Sequence, residues 1–131
     1  MYKILFVCIE NANRSQLAEA YMKKYAPDFE VFSAGSEPKI EINQLAKSII
    51  QKLDLKNEIF YPKTFTAINP QVKFDYIVSM GCGEQCPQIP ADNRIEWDIP
   101  DPKSLNYIEY LKIAQLIENN IIELIESINI H

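Results

Sequence analysis

Three residues with chemical potential lie close together near the N-terminus. Cys8 follows a short apolar run, and Arg14 and Ser15 come six and seven positions later. A turn from a strand into a helix points backbone amides and the helix N-terminus into one concavity, which suits a tetrahedral oxyanion. A guanidinium can bridge two oxygens of such an anion, and the same positive surroundings favour a cysteine thiolate. The spacing therefore predicts a nucleophilic cysteine beneath a bound anion.

The loop that would bind the anion is short and mostly polar. It comprises Cys8, Ile9, Glu10, Asn11, Ala12, Asn13 and Arg14. We expect Ser15 to donate a hydrogen bond to the Cys8 sulfur and Asn11 to brace the loop through bonds to its backbone. The alternative is purely structural, with Cys8 a small buried side chain and Arg14 a solvated helix residue.

Two further cysteines, Cys82 and Cys86, lie four residues apart after a predicted strand. On a helical turn they would share a face, but their nearly parallel Cβ vectors mean that the turn must melt before they can bond. Gly81 and Gly83 supply the backbone freedom for that change. One alternative is a zinc or other metal site, although the only histidine is His131, so a four-ligand site lacks a convincing member. The other alternative is a pair of unrelated buried thiols.

Alternating strands and helices would hold these residues in place. Apolar runs predict four strands, at residues 2–7, 29–33, 74–80 and 94–97. Helical spacing predicts three helices, at residues 17–25, 45–53 and 105–128, with Ser104 as the N-cap of the last. The mixed stretch 54–73 supports no assignment.

This alternation predicts an α/β fold, with a parallel sheet covered on both faces. Ligands collect at the carboxyl ends of the strands in such sheets. Here those ends carry Cys8, Cys82 and Cys86, and Asp98 and Asp101.

Size and charge exclude several classes of protein. The 131 residues, 47% of them hydrophobic, predict one globular domain over residues 1–131. Thirteen basic and eighteen acidic side chains give a net charge of −5, which argues against nucleic acid as a partner. The N-terminal apolar run is too short for a signal peptide or a membrane span. We therefore expect a reducing cytoplasm, where cysteines are more often reactive than bridged. We also expect a monomer.

Taken in order, these motifs resemble the arsenate reductases built on the low-molecular-weight protein tyrosine phosphatase fold. The resemblance is carried by Cys8-x5-Arg14-Ser15 with Gln16-Leu17-Ala18-Glu19, by Ser33-Ala34-Gly35, by Met80-Gly81-Cys82, and by Trp97-Asp98-Ile99-Pro100-Asp101-Pro102. It covers nearly the whole chain. It implies a three-layer fold whose four parallel strands are in the order 2-1-3-4, with helices on both faces.

The resemblance also implies a relay among the three cysteines. Cys8 attacks arsenic while Asp101 protonates the departing oxygen, and Asp98 orders the loop. Cys82 then attacks the sulfur of Cys8, so that arsenite leaves, and Cys86 resolves the new bridge. The product is a Cys82–Cys86 disulfide that thioredoxin, glutaredoxin or another thiol donor can reduce. No tightly bound organic cofactor is implied.

A structural potassium ion at Asn11, Glu19 and Ser33 is a further implication of the resemblance. Two loop residues depart from the family pattern, since Glu10 stands where a glycine is usual and Asn13 where a second cysteine is frequent. A non-glycine residue at positive φ costs about 1 kcal/mol. A carboxylate would also repel the anion, so we expect Glu10 to point outwards.

Two other functions stay open. A low-molecular-weight phosphatase would use Cys8, Arg14 and Asp101 and hydrolyse the phosphocysteine with water. The stretch 103–105 is Lys-Ser-Leu and lacks the paired tyrosines that phosphatases of this fold tend to place there. A thiol-based redox or arsenite sensor would bind without turnover. Cys82 separates the reductase from the phosphatase.

Overall fold

The structure is a computed structural model that describes residues 2–81 and 89–129. Its strands are β1 (Lys3–Cys8), β2 (Glu30–Gly35), β3 (Phe74–Ser79) and β4 (Ala91–Glu96). Its α-helices are α1 (Arg14–Tyr25), α2 (Gln44–Lys52) and α3 (Tyr107–Asn129), and a 3-10 helix covers Phe65–Ala67. Every predicted strand and helix is present, with ends within about three residues of those predicted, as is usual for element boundaries.

The four strands form one parallel sheet in the order β2-β1-β3-β4, which confirms the predicted order. At the carboxyl edge Cys8 pairs with Gly35, and Val7 pairs with Ser79. Ser79 also pairs with Glu96 on the outer strand. The registers therefore bring the carboxyl ends of all four strands to one edge, where ligands collect in sheets of this kind.

Strand β1 is central and buried on both faces, as its uninterrupted apolar run predicts. One face packs in a cluster that contains buried apolar residues from all three α-helices. The other face, with Leu5 and Val7, packs against Phe65 and Ile68. The prediction was helices on both faces of the sheet. Within the described ranges, the three α-helices lie on one face and the 3-10 helix lies on the other.

The predicted cap of α3 is wrong by two residues. Asn106, and not Ser104, caps the helix: its side-chain oxygen accepts from the Glu109 N–H at 2.9 Å, and its amide donates to the Glu109 carboxylate at 3.0 Å. The reciprocal pair satisfies an orphan N–H of the first turn. Across residues 2–81 and 89–129, no helix combines the length and apolarity that crossing a bilayer requires.

Candidate active site

The Cys8 side chain is buried at the carboxyl end of β1, with 2% of the residue exposed. Its sulfur lies 2.9 Å from the Ser15 hydroxyl oxygen, and the Asn11 backbone N–H donates to it at 3.3 Å. The Ser15 oxygen already accepts from the Asn11 carboxamide at 2.6 Å, which leaves its own proton for the sulfur. Hydrogen bonds donated to an anion stabilise it, so the arrangement suits a thiolate.

Asn11 is the central bracing residue of the loop. Its φ of 51° lies in the left-handed region, which asparagine tolerates better than most side chains. Its Nδ2 atom donates to Ser15 at 2.6 Å and to Ser33 at 3.1 Å. Its Oδ1 atom accepts from the Gln16 side chain and from the Lys63 backbone N–H, both at 3.0 Å. Because donors and acceptors are matched at both ends, the carboxamide has one orientation.

Loop carbonyls face outwards, toward the chain that follows β2. The bonds run from Glu37 N–H to Ile9, from Lys39 N–H to Glu10 and from Asn43 N–H to Ala12, at 2.8, 3.0 and 3.0 Å. Carbonyls held on the outer side leave amides for the inner side, as the Asn11 N–H shows. Helix α1 begins at Arg14, so its N-terminus adds to the same concavity. This arrangement of the backbone is compatible with the predicted anion nest, which stays a prediction.

Gly35 allows the loop to rest on the end of β2. A Cβ atom there would stand 2.5 Å from the Ile9 carbonyl oxygen and 3.0 Å from the Asn11 nitrogen, closer than side chains approach. The Gly35 N–H also donates to the Lys63 carbonyl at 2.9 Å. This position therefore requires glycine because the backbone of the Cys8 loop approaches it closely.

The Glu10 side chain reaches toward two lysines at the surface, the outward direction expected for it. Its carboxylate is 3.5 Å from the ammonium groups of Lys39 and Lys103, both of which are exposed. The expected strain at this position is absent, because the left-handed residue of the loop is Asn11. The two lysines offset a charge that would otherwise repel an anion. Glu10 also connects the loop to the segment that carries Asp101.

Arg14 lies buried between the ends of β3 and β4. Its Nη1 atom donates to the Ile99 carbonyl at 2.9 Å. The guanidinium also packs against Gly81, where any Cβ would collide with it and where φ is +81°. The arginine is thus oriented by the backbone of two loops. Gly81 directly precedes Cys82 in the chain.

Asp101 lies on the exposed segment that follows β4. Its carboxylate accepts a hydrogen bond from the Lys103 N–H at 3.1 Å. A bond from an aspartate to the backbone two residues later is typical of a turn. Nearby, the buried Tyr110 hydroxyl donates to the Asn13 side chain at 2.7 Å. Burial raises the pKa of Tyr110, with smaller contributions from Tyr21 and Asp101, and this keeps the phenol a donor. Asp98 is exposed.

Beneath the loop lies the buried carboxylate of Glu19, whose side chain is 4% exposed. The Ser33 hydroxyl donates to it at 2.5 Å. The ammonium groups of Lys23 and Lys63 lie 2.7 and 3.8 Å from its oxygens. A buried carboxylate needs such compensation. We call the connected polar residues the floor of the loop: Asn11, Ser15, Gln16, Glu19, Ser33 and Lys63.

The three residues implied for potassium do meet, but their atoms do not fit the ion. Asn11 turns its nitrogen, and not its oxygen, toward Ser33. The Lys63 ammonium lies 3.4 Å from the Ser33 oxygen and 3.8 Å from Glu19, where an ion would stand. Potassium binds oxygen ligands and is repelled by a cation at this range. No chemistry is therefore assigned to a metal here.

Some predicted residues lie beyond the described ranges, and some useful ones were not predicted. Cys82 and Cys86 lie outside the described residues. The sequence reading missed Lys63, which falls in the unassigned stretch 54–73, and the bond from Tyr110 to the loop. It quoted Gln16 without a role. The sequence offered one sign that Gln16 is buried, because this polar residue comes directly before the apolar Leu17 of the same helix. It offered no sign for Lys63.

Comparisons with known proteins agree with this geometry. The family described as low molecular weight phosphotyrosine protein phosphatase matches residues 3–131. An arsenate reductase of Bacillus cereus strain AH187 is 31% identical over 125 residues, 90% of each chain. A thioredoxin-dependent arsenate reductase of Corynebacterium glutamicum superposes with a TM-score of 0.79 and 32% identity, over 99% of this chain but 63% of that one. An arsenate reductase structure from Archaeoglobus fulgidus has a TM-score of 0.79 and 29% identity, over 94% and 98%.

Proposed function

Because this chain belongs to the low molecular weight phosphotyrosine protein phosphatase family, we propose that it uses the shared cysteine loop to reduce arsenate to arsenite. The observation that carries the proposal is the buried Cys8 sulfur with donors from Ser15 and Asn11 at 2.9 and 3.3 Å. The similarity to reductases in both sequence and structure supports arsenate as the substrate.

The first step is an attack by the Cys8 thiolate on the arsenic of arsenate. A sulfur–arsenic bond forms, and one arsenate oxygen leaves as water once Asp101 supplies a proton. The loop amides and the Arg14 guanidinium bind the remaining oxygens, whose charge they stabilise. The anchoring of Arg14 on the Ile99 carbonyl supports this role, because it holds the guanidinium beside the loop before any anion binds.

The second step transfers two electrons from sulfur to arsenic. Cys82, as a thiolate, attacks the Cys8 sulfur; a disulfide forms while the sulfur–arsenic bond breaks, and the bonding pair leaves with arsenic as arsenite. Cys86 then attacks the Cys82 sulfur, which releases the Cys8 thiolate and leaves a Cys82–Cys86 disulfide. The contact of Gly81 with Arg14 supports the first exchange, since Gly81 is bonded to Cys82.

The electrons must be returned by a dithiol donor. The thioredoxin dependence of the corynebacterial relative favours thioredoxin over glutaredoxin. In this proposal residues 1–131 act as one domain and as a monomer. A phosphate-like oxyanion would compete with arsenate, because the two have nearly the same size and charge.

The proposal is tested with arsenate, thioredoxin, thioredoxin reductase and NADPH, followed by NADPH oxidation. Glutathione with glutaredoxin replaces the thioredoxin system in a parallel assay. Wild-type protein is expected to turn over with thioredoxin, whereas Cys8→Ser, Cys82→Ser and Cys86→Ser are inactive. NADPH consumption by Cys82→Ser equal to that of wild type would refute the relay.

The phosphatase reading is tested in the same samples. Hydrolysis of p-nitrophenyl phosphate needs Cys8 but not Cys82, so Cys82→Ser is expected to keep any slow activity of this kind. Phosphatase turnover without NADPH oxidation in either system would favour the phosphatase. Binding of arsenite without either activity would favour a sensor, which would also be supported by a Cys8 that resists iodoacetamide at mildly acidic pH.

A further inference from the structure

Lys63 is an unusual lysine, because both its backbone and its ammonium group bind the floor. Its N–H donates to the Asn11 side chain at 3.0 Å, and its carbonyl accepts from the Gly35 N–H at 2.9 Å. The ammonium then returns to the same cluster, 3.4 Å from the Ser33 hydroxyl and 3.0 Å from the Tyr61 carbonyl. A lysine side chain loses rotamer entropy when it is held in one conformation, so such confinement needs compensating contacts.

The ammonium group is surrounded as a bound cation would be. It has oxygens of three kinds within 4 Å, from the Ser33 hydroxyl, the Tyr61 carbonyl and the Glu19 carboxylate. The Tyr61 ring lies below it, with its centroid at 4.7 Å. The side chain is 14% exposed. Burial lowers the pKa of Lys63, and the attraction of Glu19 opposes that shift.

A short chain of hydrogen bonds connects this cation to the sulfur. Lys63 donates to the Ser33 oxygen, which also accepts from the Asn11 carboxamide at 3.1 Å. The same carboxamide nitrogen donates to Ser15 at 2.6 Å, and the Ser15 oxygen lies 2.9 Å from the Cys8 sulfur. The Lys63 ammonium beside Ser33 favours the orientation in which the Ser33 oxygen accepts hydrogen bonds and its proton points to Glu19. The Asn11 nitrogen can then donate to that oxygen, which holds the carboxamide in place.

We propose that the Lys63 ammonium is a tethered cation that takes the place of a bound metal ion beneath the loop and positions Asn11 and Ser15 for Cys8. This inference rests on the proposed use of Cys8 as the nucleophile. Lys63 is a positioning residue, since it acts through Ser33 and Asn11. A lysine held by its own chain is present at every ionic composition, whereas a free ion must be bound from solution. The activity is therefore independent of potassium.

The experiment compares wild type with Lys63→Met, which keeps an unbranched stem but removes the charge. Lys73→Met is the matched control, because Lys73 is an exposed lysine paired with Asp92 away from the loop. Alkylation of the Cys8 peptide by iodoacetamide is followed by mass spectrometry across pH, with potassium chloride or tetramethylammonium chloride at constant ionic strength. Arsenate turnover is measured under the same conditions, as kcat and KM.

Wild type and Lys73→Met are expected to react alike in both salts. Lys63→Met is expected to alkylate about fivefold more slowly, the size of one net hydrogen bond, with the pH midpoint of the reaction raised. Potassium restores its rate and tetramethylammonium does not, because only a small ion enters the vacated position. The turnover defect appears in kcat more than in KM.

Three results would overturn the inference. The first is faster alkylation or turnover of wild type in potassium chloride than in tetramethylammonium chloride. The second is alkylation of folded Lys63→Met at the wild-type rate. The third is slow alkylation of Lys63→Met that potassium does not accelerate. If Lys63→Met does not fold, Lys63→Gln takes its place and the wild-type comparison still decides. Alkylation does not require turnover, so absence of arsenate reduction in every sample would refute the proposed function and leave this test intact.

Discussion

Beneath the Cys8 loop the polar side chains are buried and bonded to one another, whereas above it the charged side chains are exposed and loosely paired. The floor places Glu19 with 4% of its side chain exposed, within hydrogen-bonding distance of Ser33 and Lys23. We call the exposed group the rim: Glu10, Lys39, Asp101 and Lys103. At the rim, Glu10 stands 3.5 Å from both of its lysines and has 21% of its side chain exposed.

This difference suggests separate roles for the floor and the rim. Buried hydrogen bonds have few competing partners, so in the proposed mechanism they orient Cys8 before substrate arrives. Exposed ion pairs contribute little and exchange readily with water. We therefore expect floor substitutions to change the reactivity of Cys8 itself, and rim substitutions to change turnover or binding while Cys8 reacts as before. Arg14 is buried between two loops, so its substitution should lower the stability of the protein, as floor substitutions do. It should also weaken the binding of arsenate, because Arg14 is proposed to bind the anion.

The largest effect is expected for Arg14→Lys. An ammonium keeps the charge but has no planar fork, so it cannot hold the Ile99 carbonyl and bridge two anion oxygens at once. We expect kcat/KM for arsenate to fall by about 10²- to 10³-fold, as when one preorganised donor is removed. Steady-state NADPH oxidation measures this, with Arg94→Lys on the outer strand as the control. Wild-type turnover by Arg14→Lys would mean that the amides alone bind the anion.

Asp101→Asn separates the rim from the floor most clearly. An amide cannot supply the proton for the departing oxygen, so kcat is expected to fall about 10²-fold. Alkylation of Cys8 should stay unchanged, because Asp101 does not belong to the floor. Asp98→Asn is the matched control and should lose far less turnover, because Asp98 is expected to order the loop and not to donate the proton. If Asp98→Asn carried the defect instead, the acid would be assigned to Asp98.

Gly35→Ala tests whether the floor needs its close packing. The added Cβ would stand 2.5 Å from the Ile9 carbonyl oxygen, so the loop must move. We expect the free energy of unfolding to fall by about 1–3 kcal/mol, as for overpacking of a buried site. Cys8 alkylation should also slow. Urea denaturation and alkylation kinetics measure the two effects, and an unchanged pair of values would show that the loop adapts freely.

The smallest effect is expected for Glu10→Gln at the rim. Removing a partly exposed carboxylate that two exposed lysines already offset should change KM for arsenate by less than about fivefold, since ion pairs at the surface contribute about 0–1 kcal/mol. The change should be a decrease in KM at low ionic strength that disappears with added salt. Glu37→Gln, on the neighbouring segment, is the control. A large gain in kcat would contradict the division between rim and floor.

Much of the fold was predictable because local periodicity reports burial. The run at residues 2–7 is continuous since β1 is the central strand, and the spacing in 105–128 follows the buried face of α3. The N-cap of α3 was wrong because Ser104 and Asn106 are both good caps, and only Asn106 stands at the right distance from Glu109. Stretch 54–73 was unassigned because its contacts are distant in sequence.

The site was also predictable where its residues are close in the sequence, and not where they are distant. Cys8, Arg14 and Ser15 lie within one turn and one helix start, so their spacing alone indicates an anion loop. The inner contacts of Lys63 reach Ser33 and Glu19, thirty residues or more away. Tyr110 reaches Asn13, which lies 97 residues earlier in the chain. No spacing in the sequence predicts such pairs, because they depend on how the elements pack.

The amino-acid sequence by itself determined the loop, the helix that begins at its end, and the parallel arrangement that gathers four strand ends at one edge. These follow from interactions between residues near one another in the chain, together with the burial of alternating or helical apolar faces. Only the tertiary structure decided that Asn11, and not Glu10, adopts the left-handed conformation and that a lysine supplies the charge beneath Ser33. Those outcomes depend on long-range contacts, which form only when distant segments meet in the packed protein.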